Sequence, residues 1–194
     1  MPKLRVDTLI LGGKEYGLHN IQTVPVNELK PAAVFTKEQN GITAFFTNQS
    51  PLSNHFPCNF YENGKPFKTA EQCFMFKKAT LFNDDETAQR ILEAESPEKA
   101  KALGKHIVGF NSHTWKEASS ECMFEAMLAK FRDNPELRTF LLQTKQTTLV
   151  EASSKDKVWG IGLPLQNKDC FNPDSWKGKN LAGKVLERVR QTLQ

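Results

Sequence analysis

The spacing of apolar residues predicts a chain that is mostly helical. Beyond residue 68, apolar side chains recur at three- and four-residue intervals, and capping residues or proline precede several of these segments. The last segment places Leu181, Val185, Val189 and Leu193 on one face. The predicted helices begin at Thr69, at 83–86, at Ser96, at Ser112 or Thr114, at Asn134 and at 178–180.

Strand-like alternation is confined to short stretches of the sequence. Residues 4–11 and 15–26 alternate on either side of a Gly-Gly pair, which is typical of a hairpin. Further short strands are predicted at 45–46, 58–61, 65–67 and 148–152. The predicted fold class is therefore α+β, a mostly helical single domain with a small antiparallel sheet. The segment 153–178 has the composition of a loop, and a loop of this length in a compact domain is typical of a functional region.

Composition agrees with a globular domain of enzyme size. The chain has 194 residues, of which 39% are hydrophobic and 25% are charged, and this is enough for one substantial core. The net charge is +4 and no run of Lys or Arg exceeds two residues. This balance favours a solvated surface over a dedicated nucleic-acid groove. A small phosphate-bearing ligand needs only a few cations and remains compatible with it.

The sequence shows no pattern typical of a disulfide-bonded protein, a metalloprotein or a membrane protein. The four cysteines are widely spaced without a C-x-x-C motif, so reduced thiols are expected. The four histidines do not stand at metal-ligand spacing from Cys, Asp or Glu, so no metal site is expected. The first residues contain no apolar run long enough for a signal peptide, and no run suits a membrane span. The expected location is cytoplasmic, with the nucleus as the alternative.

Glu71 and Lys78 are the first candidates for chemistry. Thr69 followed three positions later by Gln72 is a capping-box spelling, which places a helix start at Thr69. Positions seven apart lie nearly in register on a helix, so Glu71 and Lys78 share a stripe that is otherwise apolar. Two interpretations stay open. In the structural one, the Lys78 stem reaches water and Glu71 caps a neighbouring backbone. In the functional one, both groups face a ligand.

Polar residues also accumulate in the loops on either side of this helix. Such residues are costly to bury without partners, and their position beside glycines favours a cleft. The residues concerned are Asn54, Glu151, Asp156, Trp159 and Asn180. Gly160 and Gly162 belong to the same region, although the chain contains neither a Rossmann nor a P-loop fingerprint.

The predicted helix start at 178–180 is a candidate phosphate site. Free backbone N–H groups, a positive dipole end and the Lys179 ammonium suit a phosphate or diphosphate. The alternative is an ordinary helix cap with Lys179 in water, and Lys130 and Lys155 are then the next cations to consider. Trp115 and Trp159 also have two interpretations, as core residues or as rings that stack on a base or cover a ribose.

The chain contains a series of short sequence blocks whose order is specific to one protein family, although each block alone is a weak signal. They are Ser50-Pro-Leu-Ser-Asn-His-Phe56, Thr69-Ala-Glu-Gln72 with Lys78-Ala79, Leu81-Phe-Asn-Asp84, Lys101-Ala-Leu-Gly104, Gly109-Phe110 with Trp115, Leu128-Ala-Lys-Phe131, Pro135-Glu-Leu-Arg138, Leu149-Val-Glu-Ala-Ser153, Asp156, Trp159-Gly-Ile-Gly162 and Trp176-Lys-Gly-Lys-Asn180. From about Ala44 to the C-terminus, the chain resembles the NADAR family of NAD- and ADP-ribose-associated domains, also called YbiA-like N-glycosidases. His55 interrupts the family's Ser-Asn-Phe run, and Gln72-Cys73 replaces a common His-Tyr.

The resemblance implies a domain at 44–194 of the YbiA-like type, with 1–43 as an extension packed on it. It also implies hydrolysis of the bond between ribose C1 and an amine nitrogen. The substrate is expected to be ADP-ribose on a guanine amino group, with an early riboflavin-pathway ribosylamino-pyrimidine as the alternative. A further alternative is a module that binds NAD or ADP-ribose without cleaving it. The expected partner is an ADP-ribose-containing small molecule or ADP-ribosylated nucleic acid, with no cofactor, no membrane and no obligate protein partner.

This chemistry implies roles for the candidate residues. Glu71 is expected to stabilise positive charge at C1, with Glu151 or Asp156 as a second acid or base. Lys78 either forms a Schiff base with the opened sugar, which requires desolvation of its amine, or acts as an electrostatic clamp. The residues expected to bind the ligand are Asn54, Trp115, Lys130, Trp159, Gly160, Gly162, Lys179 and Asn180.

Overall fold

Helices dominate the computed structural model, which describes residues 8–11, 14–17 and 35–194, with side chains from residue 35 onwards. The helices of these ranges are α1 Ala70–Leu81, α2 Asp85–Leu92, α3 Pro97–Leu103, α4 Ser112–Asp133, α5 Pro135–Gln143 and α6 Leu181–Thr192. The strands are β1 Thr8–Leu11, β2 Lys14–Gly17, β3 Thr36–Gln39, β4 Ile42–Phe45, β5 Phe60–Glu62, β6 Lys65–Phe67 and β7 Thr148–Glu151. The predicted α+β class is confirmed.

Local capping explains where most of the helices begin. Thr69, Asp84, Ser96 and Asn111 each accept a backbone N–H from the first turn of the helix that follows. A side-chain oxygen at this position satisfies a donor that has no partner within the helix. The predicted helix starts at these four places are therefore confirmed to within a residue or two.

Helix α1 lies at the centre of the helical layer and packs against α2, α3 and α4. Its buried residues are Ala70, Glu71, Gln72, Cys73, Phe74, Met75 and Ala79. The C-terminal end of α3 comes close to α1 because Gly104 lacks a side chain, and a Cβ atom there would collide with the sulfur of Met75. The carboxylate of Glu71 therefore lies inside the protein rather than on a solvated helix face.

The sheet that contains Glu151 is mixed rather than purely antiparallel. Strand β4 pairs with β3 in antiparallel fashion and with β7 in parallel fashion, so that Phe45 lies opposite Glu151. A parallel pair needs a long connection, and helices α1 to α5 supply it. The antiparallel pattern expected from the sequence holds for β5 with β6 and for β1 with β2. The sequence contains no signal for the direction of a strand that returns after about a hundred residues.

The amino-terminal segment is described only in part. Strands β1 and β2 form the expected hairpin, in which Leu11 pairs with Lys14. The remaining residues of the strands predicted at 4–11 and 15–26 lie outside the described residues. Strand β3 already belongs to the sheet, which therefore begins before the predicted domain boundary at residues 43 and 44. The packing of the segment 1–43 on the domain stays a prediction.

The long carboxy-terminal loop is held by a second apolar cluster beneath the sheet. Its members from the loop are Ile161, Leu163, Leu165, Cys170 and Phe171, and they pack against apolar residues of β4 and β7. Two 3-10 turns, Lys168–Phe171 and Pro173–Ser175, lie within this segment. Among the described residues, no helix has both the length and the apolar character needed to cross a bilayer.

Candidate active site

A cleft of about 760 Å³ lies where three parts of the chain meet. One wall follows strand β4, a second comes from helix α3, and the third is the start of the loop after β7. The residues that line it are Phe46, Thr47, Asn48, Ser53, His55, Glu98, Lys101, Glu151, Ser153, Lys155, Asp156, Lys157 and Val158. This volume falls within the range of small-molecule sites in proteins.

Glu71 lies beside this cleft and is almost completely buried, with 2% of its surface exposed. The Asn54 amide donates a hydrogen bond of 2.6 Å to its Oε2 atom. Two side chains of the cleft approach the carboxylate, with His55 Nε2 at 3.8 Å from Oε2 and Lys101 Nζ at 3.9 Å from Oε1. Burial raises the pKa of Glu71, whereas His55, Lys101 and the Asn54 amide oppose that rise. These three neighbours favour the charged carboxylate.

Glu151 ends strand β7 and lines the same cleft. Burial, followed by the negative charges of Asp156 and Glu71, raises its pKa to about 7, while Lys101 opposes the rise. A carboxyl group with this pKa is partly protonated at neutral pH and is suited to proton transfer. Glu151 therefore lines the cleft, whereas Glu71 lies buried beside it, and the two carboxyl groups differ in their surroundings.

Asn180 and Asp156 fix the backbone around Glu151. Asn180 Oδ1 accepts the Glu151 N–H at 3.1 Å, and Asn180 Nδ2 donates to the Leu149 carbonyl at 2.8 Å. Asn180 is 3% exposed, so its amide holds strand β7 from within the protein. Asp156 Oδ1 accepts the N–H groups of Val158 and Trp159, both at 2.8 Å. Asn180 thus acts on the backbone of the site, whereas Asp156 also lines the cleft.

Lys78 lies in an aromatic and carbonyl environment next to α3. Its ammonium donates to the Gly104 carbonyl at 2.7 Å and lies 4.3 Å from the ring centroid of Phe110 and 5.4 Å from that of Trp115. Burial lowers the pKa of Lys78, and the negative charge of Glu71 acts in the opposite direction. Among the described side chains, Lys101 forms the ion pair with Glu71 and His55 lies 3.8 Å from its carboxylate, whereas Lys78 forms no ion pair with Glu71 and does not line the cleft.

Lys130 is completely buried beneath the loop that carries Asn54. Its ammonium donates to the carbonyl groups of Pro51 and Ser53, both at 2.7 Å, and it lies 5.3 Å from the ring centroid of Phe56. It does not line the cleft. The structure therefore places Lys130 where it supports the loop, and not where it was expected to meet a ligand.

The two tryptophans expected at the ligand pack against the core instead. The ring centroids of Trp115 and Trp159 lie 5.0 Å and 5.3 Å from that of Phe74. Both tryptophans are partly buried against the main core, and neither lines the cleft. Their location agrees with the core interpretation left open by the sequence.

The N–H groups at the start of α6 already have partners. Those of Lys179, Asn180 and Leu181 donate to the carbonyl groups of residues 157, 160 and 158 at 2.9, 3.2 and 3.2 Å. They are not available to a phosphate, which corrects the expectation of free donors at 178–180. Lys179 is exposed and lies outside the cleft lining.

Gly160 and Gly162 shape the loop instead of facing the cleft. A Cβ atom on Gly160 would come within 3.0 Å of the Glu151 carbonyl and 2.9 Å of the Asp156 carbonyl. Gly162 has a φ angle of +72°, which side chains rarely adopt. Both glycines therefore act through the backbone that positions Glu151 and Asp156.

Four charged residues of the cleft were missed by the sequence analysis: His55, Glu98, Lys101 and Lys157. Lys101 lies thirty positions from Glu71, and only the packing of α3 against α1 brings them together. His55 was visible as an insertion in the Ser-Asn-Phe block, and this departure does fall in the cleft. The other departure, Gln72, is buried and donates to the Ile91 and Leu92 carbonyls, so it acts in helix packing.

In the described part of the chain, no group of three or more His, Cys, Asp or Glu residues has the geometry to hold a metal ion. The ionisable groups that line the cleft are carboxyl, imidazole and ammonium groups.

Comparison with known proteins connects this cleft to a family. The sequence model of the NADAR domain matches residues 34–194. An N-glycosidase of Acanthamoeba polyphaga mimivirus is 39% identical over 163 residues, which is 81% of this chain and 92% of that protein. The N-glycosidase YbiA of Escherichia coli is 30% identical over 131 residues, or 68% of this chain and 73% of that protein.

One solved structure and one further relative are also similar to this chain. The NMR structure of the Escherichia coli protein YbiA matches with a TM-score of 0.67 and 27% identity, covering 85% of this chain and 92% of that one. A riboflavin biosynthesis protein of Vibrio vulnificus is 29% identical over 147 residues, which is 76% of this chain but 36% of that protein.

Proposed function

The chain belongs to the NADAR domain family, and on that premise we propose that it is an N-glycosidase that removes ADP-ribose from the amino group of guanine. The observation that carries the proposal is the proximity of Glu71, which is buried beside the cleft, to Glu151, which lines it, since the charge of Glu71 is one cause of the raised pKa of Glu151. The Asn54 amide, His55 and Lys101 approach the Glu71 carboxylate, whereas Glu151 has its pKa raised to about 7. Cleavage of a glycosidic bond requires two carboxyl groups, one that acts as the acid and one that acts as the carboxylate.

In this reaction Glu151 acts as the general acid. It gives its proton to the leaving nitrogen, and the C1–N bond breaks with its electron pair going to nitrogen. Positive charge then develops at C1 and on the ring oxygen, where the carboxylate of Glu71 stabilises it. Water adds to C1 and returns a proton to Glu151. The products are ADP-ribose and a base with a free amino group.

The cations of the cleft support a diphosphate-bearing substrate. Lys101, Lys155 and Lys157 line it together with His55. Two adjacent phosphates carry more negative charge than the single phosphate expected of a riboflavin-pathway intermediate, and they match a group of three lysines better. The cleft volume of about 760 Å³ also suits a dinucleotide-sized ligand.

A ribosylamino-pyrimidine of riboflavin synthesis is the second candidate substrate. The name of the Vibrio relative favours it, and the same two carboxyl groups would cleave its C1–N bond by the same proton transfer. The two substrates differ in the phosphate groups and the base, which lie outside the reacting atoms.

Lys78 supports a covalent variant of the mechanism. Opening of the ribose ring gives an imine at C1, the Lys78 amine adds to this carbon, and the base leaves as an amine. Water then releases ADP-ribose and restores Lys78. The route needs a neutral amine, and burial lowers the pKa of Lys78 in that direction, whereas the cation–π contacts with Phe110 and Trp115 favour the ammonium. Since Glu71 pairs with His55 and Lys101 instead, it does not hold the Lys78 ammonium in a close ion pair.

A direct test is a turnover assay on both substrates side by side. We expect release of free ADP-ribose from ADP-ribosylated guanosine, and slower cleavage of the ribosylamino-pyrimidine phosphate. Faster cleavage of the pyrimidine would reverse the assignment. Binding of ADP-ribose without turnover of either compound would instead support a module that binds ADP-ribose without cleaving it. Purified Glu71→Gln protein is the control for contaminating glycosidases.

A further inference from the structure

The cleft has an apolar patch beside its charged residues. Phe46 is 37% exposed and Val158 is 48% exposed, and both line the cleft. The other described residues of the lining are polar or charged. Exposure of apolar side chains within a polar cleft is unfavourable in water, and it is typical of a surface that a ligand covers.

Phe46 is also the aromatic ring that the described lining offers for stacking. Trp115 and Trp159, the two rings expected from the sequence, are packed on Phe74. Phe46 follows strand β4, and its ring remains partly open to solvent. A flat base in the cleft can therefore contact Phe46, whereas neither tryptophan lines the cleft.

The backbone holds Phe46 close to the proposed acid. Phe45 lies opposite Glu151 in the parallel β4–β7 pair, and the Ala152 N–H donates to the Phe45 carbonyl at 2.9 Å. The Phe46 N–H donates to the Phe35 carbonyl at 3.0 Å. Phe46 is thus one residue away from the pairing partner of Glu151 and is fixed by hydrogen bonds on both sides of it.

Val158 is fixed by a separate set of bonds. Its N–H donates to Asp156 Oδ1 at 2.8 Å, and its carbonyl accepts the Leu181 N–H at 3.2 Å. The loop therefore presents Val158 from the start of helix α6, while Phe46 comes from the sheet. The two apolar side chains reach one cleft from different elements, in a position that is preformed by the backbone.

We infer that Phe46 and Val158 form the subsite for the flat base that leaves when the glycosidic bond breaks. The inference rests on the proposed function, because it takes Glu151 as the acid that protonates the leaving nitrogen. A base stacked on Phe46 has its edge near Glu151, which places the nitrogen within reach of the proton. The phosphates then lie toward Lys101, Lys155 and Lys157, and stacking supplies the affinity for the leaving base.

The test measures binding of the two halves of the substrate separately. Guanosine serves as the probe for the leaving base and ADP-ribose as the probe for the other half, with calorimetry as readout. We expect Phe46→Ala to raise the Kd of guanosine about tenfold, the lower range of base–aromatic stacking, and to leave the Kd of ADP-ribose within about twofold. Phe46→Tyr keeps the ring and should bind guanosine like the wild type. Val158→Ser should weaken guanosine binding in the same direction.

Tyr61→Ala is the matched control, because Tyr61 is an aromatic residue that is 60% exposed and lies outside the cleft lining. If Phe46→Ala does not fold, Phe46→Leu can replace it, because it removes the ring but keeps the apolar volume. The same changes in the Kd of guanosine and ADP-ribose are then expected. Weaker binding of ADP-ribose with an unchanged Kd for guanosine would assign Phe46 and Val158 to the adenine of the ligand and overturn the inference. Wild-type protein that does not bind guanosine would also overturn it.

The proposed function is judged separately, by turnover of ADP-ribosylated guanosine in the wild type. If the wild type turns over this substrate and Phe46→Ala leaves the Kd of guanosine unchanged, the subsite is contradicted but the N-glycosidase activity is supported. Conversely, guanosine binding that depends on Phe46 without turnover would keep Phe46 as a base-binding residue but would contradict both the enzyme and the role of the subsite for a leaving base.

Discussion

Asn54 and Glu71 are joined by two hydrogen bonds that run in opposite directions. The Asn54 amide donates to Glu71 Oε2 at 2.6 Å, and the Glu71 backbone N–H donates to the Asn54 carbonyl at 2.8 Å. The first bond fixes the carboxylate and the second ties the first turn of α1 to the loop. Since both members are held at two points, the carboxylate keeps its orientation as charge develops in a substrate, which is the condition for electrostatic catalysis.

The first prediction concerns the charge on Glu71. Glu71→Gln preserves size and can still accept the Asn54 bond, but it removes the charge that would stabilise the cation at C1. We expect kcat to fall about 100-fold or more, with the Kd of ADP-ribose changed less than threefold. Single-turnover kinetics and calorimetry measure the two effects.

Glu98→Gln is the matched control for this change. Glu98 also lines the cleft and lies near His55, but its side chain is 68% exposed. We expect this variant to retain most of the activity. Wild-type turnover by Glu71→Gln would show that Glu71 has only a structural role, and a large fall in its unfolding temperature would make the loss of rate a stability effect.

The second prediction follows from the raised pKa of Glu151. If Glu151 is the general acid, kcat falls as the pH rises through about 7, because the protonated fraction is lost. Glu151→Gln should lower kcat about 100-fold and remove this limb of the pH profile. Asp156→Asn removes one of the negative charges that raise the pKa of Glu151, so the limb should move to lower pH.

The raised pKa of Glu151 should also make the free energy of unfolding depend on pH. The folded protein binds a proton at Glu151 more tightly than the unfolded chain does, so this stabilisation is present below pH 4.5 and is lost as the pH rises to about 7. In urea unfolding, the difference between wild type and Glu151→Gln should shrink or reverse across that window. Parallel curves for the two proteins would contradict a raised pKa.

The elements of the fold could be predicted because their signals are local. Capping residues at Thr69, Asp84 and Ser96 and the apolar stripe of the last helix each act within one or two turns. The parallel direction of β7 could not be predicted in this way. It depends on how five helices return the chain to the sheet, which is a property of the whole domain.

The candidate site was predictable in its carboxyl groups and in Lys155, but not in its other lysines. Glu71, Glu151 and Asp156 were chosen as candidates; the last two line the cleft, and Glu71 lies buried beside it next to His55 and Lys101. Lysines were harder, because the side chain is long and its ammonium can lie on either side of its own helix. Lys130 and Lys101 illustrate this, since one supports a loop from beneath and the other approaches Glu71.

The third prediction moves the phosphate contacts to the cleft. Lys155 and Lys157 line it, whereas Lys179 does not and its backbone N–H is already bonded. We expect the double change Lys155→Ala and Lys157→Ala to weaken ADP-ribose binding by about 1–2 kcal/mol and to affect ribose less. Lys179→Ala is the control and should bind both ligands like the wild type. Weakened ADP-ribose binding in that control alone would return the phosphate to the helix start.

The fourth prediction concerns the buried ammonium of Lys130. Burial lowers its pKa from 10.5 to about 8, and Cys58 is the titratable group that acts on it. Between these values the folded protein has lost the proton and the unfolded chain keeps it, so the free energy of unfolding rises with pH. Relative to Lys130→Met, the wild type should gain roughly 2 kcal/mol between pH 7.5 and 9.5.

The comparison is best made with Cys58→Ala in both proteins, which removes the titrating thiol near Lys130. Activity should persist in the wild type over this range, because a neutral amine still has two N–H donors for the Pro51 and Ser53 carbonyls. Lys130→Met lacks both donors, and we expect it to lose activity at every pH through loosening of the loop that holds Asn54. A pH-independent stability difference would exclude a lowered pKa.

The last prediction decides between the two roles of Lys78. The covalent route requires that a mild hydride reducer, added during turnover, fixes the sugar on the protein, and peptide mapping should find the added mass on Lys78. Lys78→Arg should abolish both trapping and most of the turnover, because a guanidinium keeps the charge but does not attack carbon. Lys101→Arg is the matched control, since Lys101 approaches Glu71 within 3.9 Å and lines the cleft. An adduct on Lys101 would move the nucleophile to α3, and an active Lys78→Arg protein without any adduct would leave direct attack by water as the mechanism.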